Sequence, residues 1–89
     1  MPRIGPQRAT TVERRAAARI RRERARRGDS VRGLAALLAA AGAPVPDTAV
    51  AKIENGERRL TVDEVVAFAK VFGITTDELL LGARKGRRS

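Results

Sequence analysis

The residues of this chain best equipped for chemistry lie in one run, AVAKIENGERRL, at positions 49–60. Arg58 and Arg59 follow Asn55-Gly56 after a single glutamate, so two guanidinium groups, a carboxamide and a backbone N–H are gathered within five residues. Such groups donate hydrogen bonds to the oxygens of phosphates or carboxylates. Just upstream, Asp47, Thr48 and Lys52 add an acceptor, a hydroxyl and an ammonium. None of this is equipment for bond-breaking. Histidine and cysteine are both absent, which removes the commonest acid–base group, thiol nucleophiles, disulfides and nearly every transition-metal site. No enzymatic constellation, cofactor or metal site is therefore expected, and no small-molecule site is evident.

Charge supports a polyanionic partner. The 89 residues carry a net charge of +9, with arginine outnumbering lysine sixteen to three. Residues 1–28 hold ten arginines against Glu13 and Glu23, while residues 29–56 are close to neutral. Arg84, Lys85, Arg87 and Arg88 crowd the last positions. An excess this one-sided is more than solubility requires and suits nucleic acid. No apolar run long enough to span a membrane occurs, and MPRIGPQRATT lacks the apolar centre of a signal peptide. The expected location is the cytoplasm, on the nucleoid.

The elements that must position these residues read as helices. Residues 1–10, with two prolines, a glycine and two arginines, read as a flexible basic arm carrying Arg3 and Arg8. Val12, Ala16 and Ile20 recur every fourth residue and predict a helix from Thr11 to Arg27, stopped by Gly28. Glu23 takes the next inward place and is expected to weaken the last turn of that helix as a core element. Ser30 is an N-cap for a second helix whose face is Val31, Leu34, Ala35 and Leu38, running towards Gly42. AGAPVPD must be a loop. A short third helix starts at about Pro46 or Asp47, with Val50 and Ile53 inward, and ends on Asn55-Gly56, Gly56 serving as the left-handed cap. Thr61 with Glu64, and Thr75 with Glu78, form capping boxes for a fourth and a fifth helix. The fourth turns Val65, Phe68, Ala69 and Phe72 inward. The fold class is all-α, with a helical domain over residues 11–81 and a short basic tail at 82–89.

SVRGLAALL, VPDTAVAKIENGERRL and TVDEVVAFAKVFGITTDELL together resemble the Xre/Cro-like, lambda-repressor-like helix-turn-helix family, over about residues 12–81. The resemblance implies a five-helix DNA-binding regulator of transcription, usually a repressor working as a homodimer on an inverted-repeat operator. It makes the third helix the recognition helix, with Asp47, Thr48, Ala49 and Lys52 facing base edges. Ser30, Arg32, Asn55, Gly56, Arg58 and Arg59 are then expected on the phosphate backbone, Gly56 through a free N–H. Arg24 and Glu54 match a family ion pair that orients the recognition helix. The connection before that helix is about five residues longer than is usual. Leu79, Leu80 and Leu81 cannot all be buried by one small domain, so one or more is expected to meet a symmetric partner. Two rival readings use the same charge. One is an antitoxin-type or adaptor protein, for which the cationic tail offers little apolar surface. The other is a non-specific nucleic-acid-coating protein, which needs stacking aromatics, whereas the two phenylalanines face inward.

Overall fold

The computed structural model describes residues 9–82, so Arg3, Arg8 and the basic tail beyond Gly82 lie outside the described residues. Five helices are present: α1 (Thr11–Arg27), α2 (Val31–Ala40), α3 (Asp47–Glu54), α4 (Val62–Phe72) and α5 (Thr76–Leu81). Their ends follow local chemistry. Thr61 and Thr75 close reciprocal capping boxes with Glu64 and Glu78, and Ser30 Oγ accepts from the Gly33 N–H at 2.9 Å. A third box, Thr10 with Glu13, opens α1. It was equally readable in ATTVE, and it carries the ordered domain back beyond Thr11. Ala9 is buried, and its N–H donates to the Gly56 carbonyl at 3.5 Å.

α1 packs on α3 and α5, α2 on α3 and α4, and α4 on α5. The centre is Ile20, Leu34, Leu38, Val50, Ile53, Phe68 and Leu79, each at most 1 % exposed. Phe68 and Phe72 stack with ring centroids 6.2 Å apart. Val12 departs from the expected inward stripe and is exposed. A strict spacing of four overshoots a helical turn by about 40° at each step, so Val12 swings away while Ala16, Ala17, Ile20 and Glu23 stay inside. The connection between α2 and α3 is not a free loop: Ala43 and Val45 are buried in the core.

Glu23 is buried, yet it is not an orphan. Arg19 Nε donates to it at 2.9 Å and Arg26 pairs with it from the following turn. Glu13 joins the start of α1 to the connection between α3 and α4, accepting from the Thr10 N–H at 2.8 Å, the Leu60 N–H at 2.8 Å and Arg59 Nε at 3.2 Å. Glu64 accepts from its cap and from both terminal nitrogens of Arg58. Burial alone would raise the pKa of all three carboxyls, but these hydrogen bonds and arginine charges outweigh it and hold each below its ordinary value of 4.5. A depressed carboxyl pKa adds stability that is complete above the ordinary value and is lost as pH falls through the folded one. The melting temperature is therefore expected to stay level from neutrality to about pH 5 and to fall below that. Glu64→Gln should lower the plateau and flatten the acid limb, as read by circular dichroism melts. An acid limb of unchanged steepness would remove Glu64 from the account.

Candidate nucleic-acid interface

α3 is an eight-residue helix, too short to hold its shape alone. It is fixed from below by Val50 and Ile53 and from its C-terminal end by an ion pair. Arg24 of α1 grips Glu54 with two bonds, Nε to Oε2 at 2.6 Å and Nη2 to Oε1 at 2.9 Å, while Arg24 Nη1 donates to the Asp29 carbonyl at 3.2 Å. Arg21 Nη1 caps the Glu54 carbonyl at 2.6 Å. The hydrogen bonds that Arg24 donates to Glu54 raise its pKa further, so its charge persists at any working pH. One guanidinium thus joins α1, the turn before α2 and the end of α3. That fork ties the C-terminal end of α3 to α1.

The face of α3 turned to solvent presents Thr48 and Lys52 in the open, with Asp47 partly covered beside them. Asp47 does not cap the helix. Pro46 stands at the N-cap with no side-chain bond, and Asp47 Oδ2 lies 3.8 Å from Arg32 Nε, a loose and exposed pair. Ala49 is half-buried against the core, so its contribution to an outer face is a methyl edge at most. Ser30 and Arg32 stand at the exposed first turn of α2, Arg32 with 88 % of its side chain exposed.

Beyond α3 the structure corrects one expectation. Gly56 has φ 74°, as its capping role requires, but its N–H is not free: it donates to the Ile53 carbonyl at 3.1 Å. The Asn55 side chain is exposed and makes no hydrogen bond among the described residues. Arg58 and Arg59 are engaged by acids that sequence reasoning did not pair with them. Arg58 forms two 2.9 Å bonds to Glu64, which raise its pKa, and Arg59 meets Glu13. Arg58 has two of its terminal N–H groups committed to Glu64 and about a third of its side chain exposed. Arg59 keeps half of its side chain exposed. Of the three consecutive leucines, Leu79 belongs to the core, Leu80 is half-buried, and Leu81 is 59 % exposed.

The arrangement is a short helix held rigidly at one end, with hydrogen-bonding side chains on its outer face and cations on the segments beside it. Among the described residues no cluster of acids able to hold a metal ion occurs, and no helix is long and apolar enough to cross a membrane. Residues 20–79, about two thirds of the chain, match the family model described as helix-turn-helix. No curated protein and no solved structure matches the chain.

Proposed function

Since the chain belongs to the Xre/lambda-repressor-like helix-turn-helix family of DNA-binding transcription regulators, we propose that it is a repressor that acts as a homodimer on an inverted-repeat operator. The observation that supports this reading is the anchored α3, with Thr48 and Lys52 exposed on its outer face and Glu54 bonded to Arg24; in the proposal that face enters the major groove and the ion pair orients it. Asp47 accepts hydrogen bonds only, so next to the groove floor it favours a cytosine amino group. Ser30, Arg32, Asn55 and Arg59 serve the phosphates, and Arg58 chiefly staples its loop to α4.

One recognition helix covers too few base pairs to find a single site in a genome, so two copies are needed, with half-sites about one helical turn apart. Leu81, backed by Leu80, is the apolar surface offered to the second copy. Selection of tight-binding duplexes from random DNA tests the whole reading, and sedimentation of protein with a selected palindrome tests the dimer. The expected products are an inverted repeat and a two-protein complex. Lys52→Ala should relax the preference at one or two positions of each half-site, by about 1–3 kcal/mol of discrimination. An identical selected motif for Lys52→Ala and Thr48→Ala would move base reading off α3.

A further inference from the structure

On the α1 side of the α3 C-terminus the surface folds into a cleft lined by Arg14, Ala17, Arg21, Glu54, Asn55 and Gly56. Arg14 and Arg21 are seven residues apart, two turns of α1, and so share a face. Ala17 between them is buried and leaves room, and Gly56 adds no side chain: a Cβ there would stand 3.7 Å from Arg14 Cγ. The wall is therefore low where the two elements meet.

The two arginines of this cleft are not neutralised within the fold. Arg19, Arg24, Arg26, Arg27, Arg32, Arg58 and Arg59 all have a carboxylate within 4 Å, whereas Arg14 and Arg21, like Arg15 and Arg22 outside the cleft, have none among the described residues. Glu54 is the one acid in the lining, and Arg24 takes both of its oxygens. The C-terminal end of α3 opposes an anion with about half a negative charge. Its last carbonyls are already occupied, however, by the N–H groups of Asn55, Gly56 and Glu57 and by Arg21. Two uncompensated guanidinium groups outweigh that half charge, and the Asn55 carboxamide adds a neutral donor at the rim. Forked donors of this kind match an anion with several acceptor oxygens in one tetrahedral group.

We infer that this cleft seats a backbone phosphodiester of the bound duplex, so that α1 as well as α3 forms the DNA interface; the inference rests on the DNA-binding reading above. Asn55 follows Lys52 by three residues and continues the outer face of α3, which makes the cleft contiguous with the base-facing surface. It is open at the rim rather than closed around a small ion, which suits a polymer backbone.

The test measures binding of the full chain to a selected duplex over a range of salt. Arg14→Ala should weaken binding to every sequence alike and reduce the slope of log K against log salt by about one unit. Arg22→Ala, removing an exposed arginine of the same helix outside the cleft, should leave the slope close to that of the parent. Replacing single phosphates by neutral methylphosphonates should reveal one linkage whose loss hurts the parent and is silent in Arg14→Ala. Equal slopes for the parent and Arg14→Ala, or equal losses for Arg14→Ala and Arg22→Ala, overturn the inference while leaving the DNA-binding reading intact. Absence of any preferred duplex for the parent defeats that reading and the inference with it. Titration with inorganic phosphate or a mononucleotide, followed at the Asn55 side-chain amide by NMR, separates the sources. Saturation by either free ligand at micromolar concentration overturns the backbone assignment, and a response to duplex alone supports it.

Discussion

Glu54→Ala is expected to destabilise the domain by about 3 kcal/mol and to abolish specific DNA binding. Glu54 is 5 % exposed and both its oxygens are held by Arg24, so truncation leaves a half-buried guanidinium with one remaining bond, to the Asp29 carbonyl. The loss reflects that stranded charge more than the net worth of the pair. A double variant, Arg24→Met with Glu54→Leu, removes both charges and is expected to recover much of the stability. It should not recover binding, because an apolar contact has no direction and no longer fixes how α3 is rotated. Denaturant titration and DNA titration on the same three proteins separate the two effects. A double variant that binds like the parent would show that the ion pair does not orient α3.

Phe68→Ala should cost about 3–5 kcal/mol, the range for truncating a fully buried aromatic ring. Phe68 is 0 % exposed, lies in the central cluster and stacks on Phe72. A small domain has a total stability near the low end of about 5–15 kcal/mol, so this one substitution consumes most of it. The melting temperature falls by about 4–8 °C for each kcal/mol in a domain of this size. The variant is therefore expected to be substantially unfolded at 37 °C. Val62→Ala in the same helix is the contrast: Val62 is 79 % exposed, and its loss should shift stability by no more than about 0.5 kcal/mol. Melts followed by circular dichroism report both. Similar melting for the two variants would mean that the centre of the core lies elsewhere.

Helix limits were legible in the sequence because they depend on residues three or four apart. Thr61 with Glu64, Thr75 with Glu78 and the apolar face of α4 all appear where the spacing puts them. The same rule reaches Thr10 with Glu13, hidden only by assigning the first ten residues to an arm on the strength of their prolines. Glu23, expected to weaken α1, carries its partners at positions i−4 and i+3, so its neutralisation was open to the same kind of reading. What sequence spacing could not supply was any pairing across the fold. Glu13 is 46 positions from Arg59, and nothing local marks the two as neighbours. The Glu64 that caps α4 gives no sign that it also holds Arg58. Arg14 and Arg21 look like two arginines in an arginine-rich helix until α3 is set beside them. Burial of Ala43 and Val45 was illegible for another reason: a connection has no periodicity from which an inward face could be inferred.

Those two residues also have a role before folding. Val45 stands between Pro44 and Pro46, and each ring confines its own φ and restricts the residue ahead of it. Ala43, Pro44 and Val45 thus begin the reaction with much of their backbone freedom already gone. Proline at a compatible position is worth about 0.4–1 kcal/mol, acting on the disordered ensemble rather than on any contact of the native state. The lengthened connection between α2 and α3 therefore need not carry the entropic penalty its extra residues suggest. Much of its contribution to holding α3 in place is invisible among the contacts of the folded protein, because it is exerted on the chain that has not yet folded.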